Sequence, residues 1–281
     1  MSDLQSHPNT RCVRKACDAL GILYKTHDAY GNFVAVGLDP IKYFVNASAP
    51  FNNGAIDKIC RDKAFSYRLL KDAVRTPRTK GYFDPYPEDP QYQGYVVEQS
   101  YEAIADAIVQ EFSLPVIVKM NSGLKGRNVY LCEDRSEVLA AIETIFNHKL
   151  PSSDYVALAQ EYVPPTREYR TVVFKGEVVL VYEKDLSDAT FTGNLSPFHY
   201  EGARAVPVED AVVTGRIQGA VDGIFPVLDL EFGGIDLIED EAGELHVIEL
   251  NTHPGFSYFV RDNGDQALVA MYEYILRQLR R

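Results

Sequence analysis

The sequence predicts an α+β fold, and three observations carry that expectation. Residues 232–238 and 245–250 are apolar runs joined by the acidic stretch Glu239-Asp240-Glu241-Ala242-Gly243-Glu244, a hairpin signal. Residues 167–174 and 178–182 form a second such pair around Lys175-Gly176-Glu177. Helical apolar stripes lie elsewhere, as at Phe65, Leu69, Leu70 and Ala73, or at Leu268, Met271, Ile275 and Leu279.

Composition bounds what such a chain can do. Its 281 residues, 46% of them hydrophobic, suffice for an ample core in one large unit or two to three lobes. A net charge of −12 argues against nucleic acid or an anionic membrane as partner. Residues 1–20 lack a signal-peptide core and no apolar run approaches a membrane span, so a cytoplasmic setting is expected. Cys12, Cys17, Cys60 and Cys132 show no CxxC spacing, which fits structural thiols in a reducing compartment.

In chain order, residues 11–20 read as a short helix ending at Gly21, followed by strands at 22–30 and 33–36 around a Gly31-Asn32 turn. Residues 38–60, with Pro40, Pro50 and Asn52-Asn53-Gly54, read as irregular. A helix over 62–71 ends before Thr76-Pro77, because proline cannot continue it. Residues 80–94, rich in Tyr, Pro, Gly and Asp, read as loop. A helix at 101–112 precedes the apolar strand 114–120, which carries a single cation, Lys119. A lysine in such a run needs an anionic partner, since an unpaired buried charge is costly. The strand enters Asn121-Ser122-Gly123-Leu124-Lys125-Gly126-Arg127, where two glycines let backbone N–H groups approach an anion. Ser136 is the expected N-cap of the next helix. Residues 155–163 alternate as a strand and stop at Pro164-Pro165. A helix around 208–222 and an amphipathic segment over 266–281, expected to pack on the sheet, complete the chain.

The hairpin at 232–250 holds the most informative geometry. If its turn centres on Ala242-Gly243, Asp236 lies directly opposite Glu249, with Cβ atoms roughly 4.5–5.5 Å apart. Asn251, two residues beyond Glu249, shares their face. Two facing carboxylates repel, but with a carboxamide oxygen beside them they make an all-oxygen set suited to a hard divalent cation such as Mg²⁺. An edge hairpin with solvated acids fits the same pattern.

At Asp236, Glu249-Leu250-Asn251 and Pro254-Gly255 the sequence resembles the C-terminal metal site of the ATP-grasp superfamily. There an Asp and a Glu-x-Asn on neighbouring strands hold the Mg²⁺ ions bridging ATP phosphates. The resemblance covers roughly residues 60–260, and its motifs fall in the family's order. It implies an ATP-grasp fold in which two lobes clamp ATP behind a small N-terminal lobe. The expected division is 1–60, 61–159 with the glycine loop, and 160–281 with hinge and metal site.

By the same resemblance, Lys63 and Lys119 reach the nucleotide phosphates, and Ser122, Gly123 and Gly126 belong to the loop that closes over them. Residues Gln160, Glu161, Tyr162 and Val163 form the hinge lining adenine, with Gln160 and Glu161 competing for its amino group. Glu168 is the ribose-contacting acid and Arg170 a γ-phosphate or acyl-phosphate cation, although a cross-strand surface ion pair would explain both. Lys184 and Asn194 resemble the acceptor segment of the RimK-like branch. Lys184 stands where that branch commonly has Arg, and Pro197-Phe198-His199 replaces its usual Gly-Gly.

The implied activity is ATP-dependent carboxylate–amine ligation on an amino acid or peptide, through an acyl phosphate, with ATP and Mg²⁺ (or Mn²⁺) as cofactors. The implied partners are a carboxylate and an amine, and members of the superfamily are often homo-oligomers. A small-molecule kinase of the same fold and a non-catalytic nucleotide-binding module are the competing readings.

Overall fold

A computed structural model describes residues 6–123, 128–150, 153–190 and 200–280. The chain opens with helix α1 (Pro8–Leu20), whose first residue is a proline and whose end is set by Gly21 at φ 63. Strands β1 (Tyr24–Thr26), β2 (Phe33–Val36) and β3 (Lys42–Val45) then pair in order as a small antiparallel sheet. The first strand is shorter than the expected 22–30. Both β3 and α2 (Gly54–Arg61) lie in the stretch expected to be irregular. Asn53 nucleates α2 by accepting from the Ala55 and Ile56 N–H groups.

Helix α3 (Lys63–Leu70) follows, capped by Asp62, and β4 (Thr79–Phe83) occupies part of the expected loop. Its sequence, Thr-Lys-Gly-Tyr-Phe, is too short and mixed to signal a strand, and it forms because β7 offers it a partner. Helix α4 (Tyr101–Glu111), strands β5 (Val116–Met120) and β6 (Val129–Cys132), helix α5 (Arg135–Ile145) and β7 (Val156–Glu161) complete a four-stranded antiparallel sheet of order β4-β7-β5-β6. Ile104, Ile108, Val138 and Ile142 of the helices pack on Val116, Val118 and Ala157 of that sheet. The cap of α5 is Asp134, which accepts from the Glu137 N–H, and the Ser136 hydroxyl donates to the Asp134 carboxylate at 2.5 Å. Ser136 is therefore second to the cap, because a carboxylate one position before the first turn reaches the same donor.

The remainder builds a five-stranded antiparallel sheet. Strands β8 (Arg167–Phe174), β9 (Glu177–Asp185) and β10 (Arg204–Pro207), helix α6 (Ala211–Val221), strands β11 (Phe232–Glu239) and β12 (Leu245–Asn251), and helices α7 (Ser257–Asn263) and α8 (Gln266–Leu279) follow in sequence. The sheet order is β10-β9-β8-β11-β12. One face carries Tyr169, Val173, Val181, Ile235 and Leu237 against Ile217 and Val221 of α6. On the other, Val172, Phe174 and Phe232 join a core with Cys12, Val13 and Ala16 of α1 and Leu268, Tyr272 and Ile275 of α8. Helix α8 thus closes the molecule against α1 as well as the sheet. All four cysteines are free and buried, as structural thiols should be. Among the described residues no helix is long and apolar enough to cross a membrane.

The cap assignment is directly testable by chemical denaturation. Asp134→Ala should lower stability by about 1 kcal/mol, and Ser136→Ala by measurably less.

Candidate active site

The face of the five-stranded sheet that is apolar at one end becomes charged at the other. Along β8, Phe174 and Val172 face the core, and alternation then brings Arg170 and Glu168 onto the same side. Arg170 is paired across to Asp236 of β11 and to Tyr182 of β9, and Asp236 to Glu249 of β12. Lys184, two residues beyond Tyr182, extends the row.

The expected opposition of Asp236 and Glu249 is found, with a local irregularity. The register shifts between Asp236 and Leu237, so that Leu237 pairs with Val247 and one extra residue sits in β12 at the site. Bulges of this kind re-aim side chains beside active sites. Asn251 pairs with Gly234 on the same face, so the three oxygen-bearing side chains share that face and line one cavity. The fit at Gly234 is close: a Cβ would stand 3.1 Å from the Arg170 side chain and 3.1 Å from Pro254 Cβ, so a larger residue would press on both.

Arg170 grips the Asp236 carboxylate with both ends of its guanidinium, Nε to Oδ1 at 2.7 Å and Nη2 to Oδ2 at 2.9 Å. Lys184 Nζ lies 2.9 Å from Asp236 Oδ1 and 3.7 Å from Glu168 Oε2. Burial alone would raise the Asp236 pKa, but the Arg170 and Lys184 charges outweigh it and hold this carboxyl well below the usual range. For Glu168 the balance reverses: burial pushes its pKa up, and Lys184 offsets only part of that. A solvated surface pair of Glu168 with Arg170 is therefore not what forms. Both are built into a buried network centred on Asp236.

Further cations approach from the four-stranded sheet. Lys63, at the start of α3, donates to the Gly123 carbonyl at 2.6 Å and stands 3.6 Å from Glu249 Oε2. Asn121 fixes that helix end by accepting from the Ala64 N–H. Lys119 is only 5% exposed and donates to Gln160 Oε1 at 2.8 Å, while the Gln160 amide donates to Thr79 Oγ1. The expected anionic partner of Lys119 is absent among the described residues, and a neutral carboxamide takes its place. Burial, reinforced by Lys63 and partly offset by Glu249, pushes its pKa from 10.5 down to about 8. Such a cation is poised for an arriving anion.

These groups line one cavity of about 950 Å³. Ile117, Val129, Leu131, Ile238 and Ile248 supply apolar walls. Gln160, Glu161, Tyr162 and Val163 also line it, and the Gln160 side chain is engaged with Lys119 and Thr79. Ser122 is turned away, with its N–H and hydroxyl both held by Asp154 Oδ2. Gly126 and Asn194 lie outside the described residues. Sequence reasoning missed Tyr182, Tyr200 and the apolar walls, although strand alternation from Lys184 and Lys119 marks several of them. The donor set suits a hard cation: two carboxylates and the Asn251 carboxamide, whose oxygen accepts from the His253 N–H. Among the described residues no three His, Cys, Asp or Glu side chains converge for a metal, so this oxygen set is the candidate.

A four-stranded and a five-stranded antiparallel sheet that both contribute to one cation-lined cavity, with paired acids on the β11–β12 hairpin, are the features of the ATP-grasp class. Residues 60–275 match the RimK-like ATP-grasp domain, and the chain belongs to that family and with it to the C–N bond-forming ATP-grasp ligases. It is 26% identical over 233 residues to a probable alpha-L-glutamate ligase of Enterobacter sp. (strain 638), covering 82% of this chain and 68% of the relative. Identity and both coverages are the same for a ribosomal protein bS6–L-glutamate ligase of Escherichia fergusonii. Its fold is similar to D-alanine–D-alanine ligase from Bacillus anthracis complexed with ATP, with TM-score 0.54 and 17% identity over 83% of this chain and 67% of that one. It is also similar to the ATP-grasp ligase PsnB complexed with minimal precursor, Mg and ADP, with TM-score 0.54 and 19% identity over 83% of this chain and 63% of that one.

Lys119 gives this site a pH signature. Below about pH 8 the folded protein carries the full cost of a buried ammonium, and the cost is released as pH rises towards 10.5. Lys119→Met should stabilise the protein at pH 7 by up to about 3 kcal/mol, less about 1 kcal/mol for the orphaned Gln160 oxygen. The advantage over the parent should shrink between pH 8 and 10.5 in paired urea titrations.

Proposed function

We propose that the protein is an ATP-dependent carboxylate–amine ligase that joins an amino acid or peptide through an acyl-phosphate intermediate. The convergence of Lys63, Lys119, Arg170 and Lys184 on the wall that carries Asp236, Glu249 and Asn251 carries this reading. Four cations in a protein of net charge −12 are a focused anion site. Adenine fits between the apolar walls and the hinge at 161–163, with Glu168 near the ribose. Lys119 and Lys63 receive phosphate oxygens.

Asp236, Glu249 and Asn251 would hold Mg²⁺, which when bound neutralises phosphate charge. Arg170 and Lys184 are already gathered at this point by Asp236. An arriving triphosphate competes with that carboxylate for their donors, so the site is charged and oriented before substrate binds. A substrate carboxylate attacks the γ-phosphorus, ADP departs, and an amine then displaces phosphate to give the amide. No covalent nucleophile from the protein is needed, since positioning and charge neutralisation do the work. The glutamate ligases among its relatives make L-glutamate the first acid to test.

Glu249→Gln should abolish ADP release with little change in stability, because its carboxylate makes only a 3.6 Å contact to Lys63. Asp236→Asn should also abolish it, and should in addition destabilise by roughly 3 kcal/mol, since Arg170 loses its two-point carboxylate partner while Lys184 keeps only the longer contact to Glu168 among the ion pairs described. Near-normal turnover by Glu249→Gln would remove the metal assignment. Mg-ATP with the twenty L-amino acids, singly and in pairs, should give ADP release, and hydroxylamine should trap a hydroxamate. ADP release without hydroxamate would instead indicate a kinase.

A further inference from the structure

The cavity is also lined by residues near the N-terminus, outside the family-matched residues 60–275. His7, Ala47 and Ser48 line it there, together with Gly255, Ser257 and Tyr258 from the segment after Asn251. His7 is held firmly. Its N–H donates to Asn32 Oδ1 at 2.7 Å, its carbonyl accepts from the Arg11 N–H at 3.0 Å, and its Nδ1 accepts from the Asn9 N–H at 3.3 Å. The neighbouring Asn9 amide donates to the Pro254 carbonyl at 2.9 Å, which fixes this end of α1 to the loop that follows the candidate metal ligands.

With Nδ1 engaged as an acceptor, the neutral ring carries its proton on Nε2. Nε2 has no partner among the described residues. Burial, reinforced by the Arg11 charge, lowers the His7 pKa and keeps the ring neutral. The half-buried His7 lines the cavity with a single ring N–H, on Nε2, available as a donor. Such a donor suits an oxygen of an amino acid or peptide, whether carboxylate or amide carbonyl.

We propose that His7 is a specificity-determining residue that donates from Nε2 to an oxygen of the non-nucleotide substrate. The proposal rests on the ligase reading above and assigns its substrate end to a lobe the family match does not include. Losing one such hydrogen bond raises KM roughly tenfold.

The test exploits the two roles of His7, as helix cap and as cavity donor. His7→Asn keeps a good N-cap acceptor but removes the distant N–H, whereas His7→Ala removes both. In ADP-release assays with Mg-ATP and the twenty L-amino acids, singly and in pairs, His7→Asn should raise KM for the amino-acid substrate about tenfold. KM for ATP and Tm should stay unchanged, while His7→Ala should show the same KM effect with a lowered Tm. Equal amino-acid KM in wild type and His7→Asn overturns the assignment. If neither amino acids nor short peptides elicit ADP release from wild type, the ligase reading fails separately, and ¹⁵N-histidine NMR then decides the role of His7. Movement of the His7 Nε2 signal when the mixed amino acids are added with Mg-ADP supports a ligand contact, and an unmoved signal overturns it.

Discussion

The site depends on one constraint: Asp236 must hold two cations inside the sheet. Arg170 and Lys184 sit on β8 and β9, one and two strands away, and Asp236 is the carboxylate that both of them contact, with Glu168 a second, longer partner of Lys184. Removing such a partner is far more costly than losing a surface ion pair, which places the carboxylate among the residues the fold requires. The same carboxylate is the proposed metal ligand. In the proposed function that one side chain would be counter-ion before the nucleotide arrives and ligand afterwards, with phosphate taking over its donors.

Lys119 is the complementary case, because no described carboxylate contacts it, Glu249 offsets only part of its burial, and its pKa falls to about 8. Gln160 satisfies one of its N–H groups and neutralises nothing. Stability and binding therefore pull in opposite directions at this position. The energy lost in burying the ammonium becomes available when an anion enters, and a protein so built favours an anionic ligand over water.

Much of this was legible in sequence. Chain alternation put Asp236, Glu249 and Asn251 on one face, Arg170 with Glu168 on another strand's matching face, and Lys119 inside an apolar strand. The resemblance to ATP-grasp motifs at the same residues agrees with the family match. The short elements were not legible: β3, β4 and α2 carry weak local patterns and exist because a partner strand or a cap stabilises them. The partners of each charge were equally hidden. Ser122 turns to Asp154 and Gln160 to Lys119 because of neighbours some 32 and 41 residues away in sequence.

By itself the sequence determined which residue types could share a strand face, since side chains alternate with period two whatever the surroundings. It also determined where helices stop, through Gly21 and the prolines. Only the tertiary structure decided which strand lies beside which, and hence that Asp236 meets Arg170 and Lys184 before it meets a metal. The bulge between Asp236 and Leu237 is of the same kind, because a register is a property of two strands and no single strand records it.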